Sequence, residues 1–257
     1  MSKIHPTAII SEKAHLGADV EVGPFSVIGD SVKIGKGTKI LNNVTITGST
    51  EIGQANKIFS YAVIGSPPQD LKYKGENSPL CIGDNNTIRE FVTINPGTQD
   101  HSTRIGSDNL IMAYSHIAHD CQVGNKCIFS NNATLAGHVT VEDEVVIGGL
   151  SAVHQFTRLG RLAIIGGCSK VVQDVPPYST CDGHPAKVYG INFVGLKRAN
   201  ISLETTHQLK NAFKILFHSG LSLPHAIDQI KKEFTNPSAE LSHLIDFVSS
   251  SQRGISR

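Results

Sequence analysis

Aliphatic residues return at every sixth position along most of this chain, and few folds can absorb that spacing. The series Ile4, Ile10, Leu16, Val22, Ile28, Ile34, Ile40, Ile46, Ile52, Ile58, Ile64 is unbroken. It resumes at Ile82, Ile88 and Ile94, slips once, and then runs from Ile105 through Ile111, Ile117, Val123, Phe129, Leu135, Val141, Ile147, Val153, Leu159 and Ile165 to Val171. A period of six matches neither the period of about 3.6 of a helix nor the period of about 2 of a half-buried strand. It is the mark of a hexapeptide parallel β-helix.

Three hexapeptides make one triangular coil of about 18 residues, each side a short strand bonded to the coils above and below at about 4.8 Å. The aliphatic residues stack inside the prism. The position four further on is small or β-branched, as at Ala8, Ala14, Val20, Ser26, Val32 and Thr38. Gly often follows the aliphatic residue, as in Ile34-Gly35, Ile52-Gly53, Ile82-Gly83 and Ile105-Gly106, and is expected to supply positive φ at the corners. The absence of Trp and a content of 24 Gly suit a thin core of Ile and Val. Hexapeptide prisms are known for left-handed coiling, against the usual crossover rule, although the period alone carries no hand.

The beat is interrupted twice, at about 65–80 and at 95–104, and loops thrown out from a rigid solenoid are where function tends to sit. It ends after Val171, with Val175-Pro176-Pro177-Tyr178 as the exit. Beyond it the pattern turns helical. Ser202 is an N-cap candidate ahead of Leu209, Ala212, Phe213, Leu216 and Phe217, with a stop at Gly220. Ser222-Leu223-Pro224 opens a second helix and Asn236-Pro237-Ser238 a third. The expected class is therefore mainly β, a parallel β-helix over 1–190 with a small C-terminal α-helical domain over 191–257 that covers the last coil.

Composition excludes several functions. A net charge of +1 gives no bulk attraction for nucleic acid or for a membrane surface. No long apolar stretch or signal-peptide core is present, so a cytoplasmic protein without stable membrane insertion is expected. The five cysteines form neither a metal nor a disulfide pattern, and Cys121 and Cys127, six apart, read as core.

The chemistry gathers on one edge. One coil separates His119 from the Gly137-His138 pair, and one more separates that pair from His154-Gln155; His116 lies beside the first. Histidine suits a general base near neutral pH. The N–H of Gly137, one coil above His119, could serve as an oxyanion donor. Asp120 could orient the base, provided that it sits at a corner where neighbouring side chains converge. An open ridge cannot exclude water, so a neighbouring subunit is expected to supply the other wall, and a closed trimer suits a triangular prism.

Longer segments carry a more specific signal: Gln69-Asp70-Leu71-Lys72-Tyr73, His116-Ile117-Ala118-His119-Asp120-Cys121, Asn131 to Val139, Ala152-Val153-His154-Gln155-Phe156, and Gln173 to Tyr178. With Gly195-Leu196-Lys197-Arg198 and Arg253-Gly254-Ile255, they make the whole chain resemble the acyl-[acyl-carrier-protein]–UDP-N-acetylglucosamine O-acyltransferase family, which catalyses the first step of lipid A biosynthesis. The resemblance implies a trimeric left-handed β-helix with active sites between subunits. It implies that His119 deprotonates the sugar 3-hydroxyl, which attacks the acyl thioester, that Asp120 assists, and that the Gly137 amide holds the oxyanion. By the same resemblance His116, His138, His154 and Gln155 contact the sugar nucleotide or the thioester. Gln69, Asp70 and Lys72 belong to the loop that contacts glucosamine and the phosphopantetheine arm. Asn192 and Arg198 lie near the uridine diphosphate, and Gly167 limits acyl length. No metal, cofactor or covalent acyl-enzyme is implied, since the donor arrives on the phosphopantetheine of acyl carrier protein.

The chain departs from the family at Val194, where an acidic residue is common, at Ala199, where a second Arg is common, and at Gly183-His184-Pro185-Ala186, usually Gly-Asn-His-Ala. From Asn192 onward eight Lys and Arg face five acidic residues, a modest positive bias toward an acidic carrier protein. Three other readings remain at this point: a hydratase binding zinc through histidines of adjacent subunits, a non-catalytic solenoid, and an acetyl-CoA-dependent transferase.

Overall fold

The structure is a computed structural model that describes residues 3–257. The beat becomes strands of two or three residues, and the aliphatic residue of each points inward: Ile28, Ile46, Ile64, Ile94, Ile117, Leu135, Val153 and Val171 form one buried column. The chain winds as a left-handed parallel β-helix. Among the described residues its three flat sides are sheets of eleven, nine and eight strands. Pairing between regular coils is 18 residues on, as in Ile117 with Leu135 and Leu135 with Val153. The interruptions lengthen that step without moving the ladder: Ile82 pairs with Ile52, and Ile105 with Ile82.

One expectation about glycine is corrected. The corners that turn through positive φ are mostly not glycine: Asp19, Phe25, Tyr61, Phe91, Asp108, Tyr114, Asp120, His138, Glu144, Phe156 and Leu162 all lie between φ +57° and +66°. Each such residue costs about 1–2 kcal/mol of backbone energy, set against a coil-to-coil hydrogen bond such as His138 N–H to the His119 carbonyl at 3.0 Å. The glycines that follow the aliphatic residues serve close packing instead. A Cβ on Gly53 would sit 2.8 Å from the Gly83 carbonyl carbon, because successive coils nearly touch there.

The prism therefore has three edges, each a column of turns. One carries Asp120, His138 and Phe156; a second carries Asp108, Lys126, Glu144 and Leu162; a third carries Tyr61, Phe91, Tyr114, Asn132, Leu150 and Cys168. On the third edge the rings of Tyr61, Phe91 and Tyr114 stack 5.0 and 4.8 Å apart. Inside, behind the second edge, Asn56, Asn86 and Asn109 form a ladder in which each Oδ1 accepts from the backbone N–H one coil above. Cys121 and Cys127 are fully buried, and burial pushes both thiols up to about 12.

The exit after Val171 is less abrupt than the sequence implies. Ser179–Gly183 continues the first sheet and folds back antiparallel on Ala186–Ile191. A short helix α1 (Phe193–Arg198) follows, then α2 (Leu203–His218), α3 (Leu223–Glu233) and α4 (Ala239–Ser249). Ser202 and Ser238 cap α2 and α4 as their positions suggest. The helices share a core, including Leu209, Phe213, Leu241 and Phe247, that reaches the prism through Leu162 and Tyr178. The Tyr178 hydroxyl meets His243 Nδ1 at 2.9 Å, and His243 Nε2 lies 3.0 Å from Glu142. Among the described residues no helix is long and apolar enough to cross a membrane.

Candidate active site

Asp120 turns the corner with φ +61°, and so its side chain swings back toward that of its neighbour His119. Asp120 Oδ2 lies 2.7 Å from His119 Nδ1. The second loop grips the same carboxylate: Thr98 N–H donates to Oδ1 at 2.8 Å and the Thr98 hydroxyl to Oδ2 at 2.6 Å. Burial raises the Asp120 pKa, but the Thr98 and His119 hydrogen bonds outweigh it and hold the carboxyl below its ordinary value. A carboxylate at Nδ1 fixes the His119 proton there and leaves the Nε2 lone pair outward.

Gly137 is glycine for a steric reason that spacing does not reveal. Any Cβ there would lie 2.6 Å from His119 Cε1, so the imidazole lies flat against the glycine. No described residue accepts from the Gly137 N–H. Pro24 fills the same hexapeptide position on the third edge, where a prolyl ring stands in place of that N–H.

His138 stands one position along the coil from Gly137. Its ring is T-shaped to His119 with centroids 5.1 Å apart, stacks on Phe156 at 4.5 Å, and brings Nε2 to 3.5 Å from Asp120 Oδ2. Burial lowers its pKa against the opposing pull of Asp120. His116 is held by Thr93 Oγ1 at 2.7 Å, and burial, followed by the nearby His119, lowers its pKa too. Both imidazoles thus favour the neutral form.

The first loop closes over this group. Asp70 Oδ2 comes to 3.8 Å from His119 Nε2, too far for a hydrogen bond. Asp70 Oδ1 accepts from Lys72 N–H and shapes the turn. Asn95 pins the loop through the carbonyls of Ser66 and Pro67. Asp70, Lys72, Tyr73, Thr98, His101 and His138 line a crevice of about 150 Å³ between the two loops. Gln69 is exposed beside it. Gln155 lies one coil above Gly137, and His154 one coil above Ala136, both exposed.

Thr98 and His101 are the members that sequence reading missed. His101 is edge-on to His138 at 6.0 Å; a histidine inside an interruption of the beat was the available signal. Nothing in the sequence singles out Thr98.

Three expected residues stand elsewhere in the chain. The Asn192 side chain caps α1, with Oδ1 accepting from Gly195 N–H and Nδ2 donating to the Leu162 carbonyl, so it belongs to the second edge. Arg198 is exposed at the end of the same helix, and Val194 is exposed within it. Gly167 lies against Gly149 beside the third edge. His119, Asn192 and Gly167 thus occupy three different edges of one prism.

One ligand atom from each of His119, Asp120 and His138 falls within 4.8 Å of the other two, the one group of three such side chains among the described residues that could hold a cation. Both Asp120 oxygens are already engaged by Thr98, and Oδ2 also by His119.

Residues 174–256 match the family described as UDP-N-acetylglucosamine O-acyltransferase, domain 2, and residues 13–48 and 102–137 match the bacterial transferase hexapeptide family. The chain is 55% identical, over 100% of both sequences, to the acyl-[acyl-carrier-protein]–UDP-N-acetylglucosamine O-acyltransferase of Herminiimonas arsenicoxydans. Among solved structures, LpxA from Acinetobacter baumannii superposes with a TM-score of 0.95 at 47% identity, covering 99% of each chain. The UDP-N-acetylglucosamine O-acyltransferase of Moraxella catarrhalis superposes with a TM-score of 0.95 at 42% identity, also over 99% of each.

Proposed function

The chain belongs to the acyl-[acyl-carrier-protein]–UDP-N-acetylglucosamine O-acyltransferase family and is an acyltransferase, and we propose that it carries a 3-hydroxyacyl chain from acyl carrier protein to the glucosamine 3-hydroxyl of UDP-N-acetylglucosamine, the first step of lipid A biosynthesis. The observation that carries this reading is the His119 imidazole, oriented by Asp120 and pressed against a glycine whose N–H is unused.

His119 Nε2 removes the proton of the sugar hydroxyl as its oxygen attacks the thioester carbonyl. Asp120 stabilises the imidazolium that results. The Gly137 N–H points where the tetrahedral oxyanion forms, and a preorganised donor of this kind is worth about 10²–10³ in rate. The imidazolium then returns its proton to the departing thiolate. Neutral His116 and His138 add no competing positive charge beside the base, and they remain donors for the hydroxyls and amides of the substrate. Gln69, Asp70 and Lys72 close the lower side, with Lys72 facing the phosphate of the donor arm.

A trimer completes the site. Asn192, Arg198 and Gly167 serve the nucleotide and the acyl tail, yet they stand on other edges than His119; a neighbouring subunit brings them to it. The outward side of the first sheet supports this. Its lower coils present Lys3, Glu21, Lys39 and Lys57, whereas its upper coils present Leu110, Ile128, Val146 and Ile164, an apolar wall leading toward Gly167. An acyl chain buries onto such a wall at about 0.8 kcal/mol per methylene. The exposed Lys197, Arg198, Lys210, Lys214, Lys231 and Lys232 of the helices give the acidic carrier protein a landing surface.

The test is mass spectrometry of products formed from a pool of 3-hydroxyacyl carrier proteins, with coenzyme A thioesters as competing donors and UDP-N-acetylglucosamine and its 3-amino analogue as acceptors. An ester from the carrier-protein donor is expected. An amide alone would change the acceptor, and transfer from coenzyme A alone would change the donor.

A further inference from the structure

The C-terminal tail is built into the top of the catalytic edge. Ile255 forms a parallel bridge to Asp174, with Asp174 N–H donating to the Gly254 carbonyl and Ser256 N–H to the Asp174 carbonyl. Asp174 is itself fixed, since its carboxylate accepts from Arg158 N–H and from the Ser251 hydroxyl. Ile255 and Ser256 are buried. The tail therefore holds the Arg253 backbone in place, and the guanidinium bonds twice to the Val172 carbonyl, at 3.4 and 3.3 Å, one coil above His154. From there Arg253 Nη2 reaches His154 Nδ1 at 3.3 Å.

His154 Nδ1 has two neighbours that make opposite demands. A guanidinium only donates, and so requires the Nδ1 lone pair. The Gln155 carbonyl, 3.2 Å from the same nitrogen, only accepts, and so requires an Nδ1 proton. The ring can satisfy one at a time. The guanidinium is permanently charged and has no lone pair to offer, so its demand on Nδ1 does not change with pH. We propose that Arg253 is a positioning residue that fixes His154 as the neutral Nε2–H tautomer, leaving Nε2 as a hydrogen-bond donor toward the substrate. No described residue bonds Nε2. This rests on the acyltransferase reading above, in which His154 faces bound sugar nucleotide or thioester; the donor would meet an oxygen of either.

The experiment is ¹H–¹⁵N long-range correlation on full-length protein labelled at histidine nitrogens, with His154 assigned by its loss in His154→Gln. Wild type, Arg253→Met and Arg253→Lys are compared, and acyl transfer is measured on the same samples. The ¹⁵N shifts of wild-type His154 should report Nε2–H. Arg253→Met should move the proton to Nδ1, toward Gln155, and lower kcat/KM about tenfold, the scale of one lost hydrogen bond. Arg253→Lys, which keeps a cationic donor, should restore most of both. An Nδ1–H signal in wild type, or an unchanged tautomer in Arg253→Met, would overturn the proposal whether or not that variant loses activity. A tautomer that moves without any change in transfer would overturn its functional half. Absence of product from wild type would defeat the acyltransferase reading instead, and the ring spectra would still decide the tautomer.

Discussion

Asp120 and His119 are neighbours in the chain, and on a flat strand their side chains would point to opposite faces; here Asp120 Oδ2 sits 2.7 Å from His119 Nδ1 because the backbone turns through φ +61° between them. The His119–Asp120 pair is thus a product of the triangular coil. The same corner one coil higher places His138 over Asp120 at 3.5 Å.

Asp120→Asn should lower kcat by about 10²–10⁴ with little change in KM, because an amide does not hold the same His119 tautomer. Steady-state kinetics with thermal melting checks it. A melting temperature close to wild type is expected, since the Thr98 hydroxyl can still donate to the amide oxygen.

Thr98→Val removes one donor to Asp120 and raises its carboxyl pKa. In the folded protein that pKa is depressed, so its stabilisation is present above the unfolded carboxylate value of 3.8 and is lost as pH falls through the lower folded value. The stability gap between wild type and Thr98→Val should therefore be full near neutrality and close in acid. Urea melts across that range measure it, and a gap that widens in acid would contradict the assignment.

Gly137→Ala forces a methyl to 2.6 Å from the His119 ring. The ring must move, and kcat should fall at least 10²-fold. The coil should survive, because a side chain can yield where backbone cannot. Kinetics beside circular dichroism separates the two effects.

His116 and His138 titrate below the ordinary value of 6.5. An unfolded chain takes up protons near that value while the native state takes them up only at lower pH. Stability from both groups is full above about 6.5 and declines as pH falls from there through the folded values. A melting series should show this decline, and His116→Gln should flatten part of it.

Much of the architecture was legible because a period of six admits one kind of coil, and phase alone placed His119 beneath Gly137. The helix cap at Ser202 and the opening of the last helix at Asn236-Pro237-Ser238 were legible for similar reasons, since each is a local signal ahead of an apolar stripe. What escaped was nonlocal. Thr98 joins Asp120 only because an interruption of the beat folds back on the corner. The positive-φ corners went to Asp, Phe, Tyr and His rather than to the regular glycines, because those glycines are needed where coils touch. The hairpin Ser179–Gly183 with Ala186–Ile191 carries no hexapeptide beat, and so its strands left no periodic signal after Val171.

The most direct measurement compares wild type with His119→Ala for ester formation on UDP-N-acetylglucosamine from 3-hydroxyacyl carrier protein, after exhaustive chelation of metals. Wild type should form the 3-O-acyl product undiminished by chelation, and His119→Ala should lose nearly all of it while melting at the wild-type temperature. A variant that still acylates at the wild-type rate, or a wild type silenced by chelation and revived by zinc, would contradict general-base catalysis by His119.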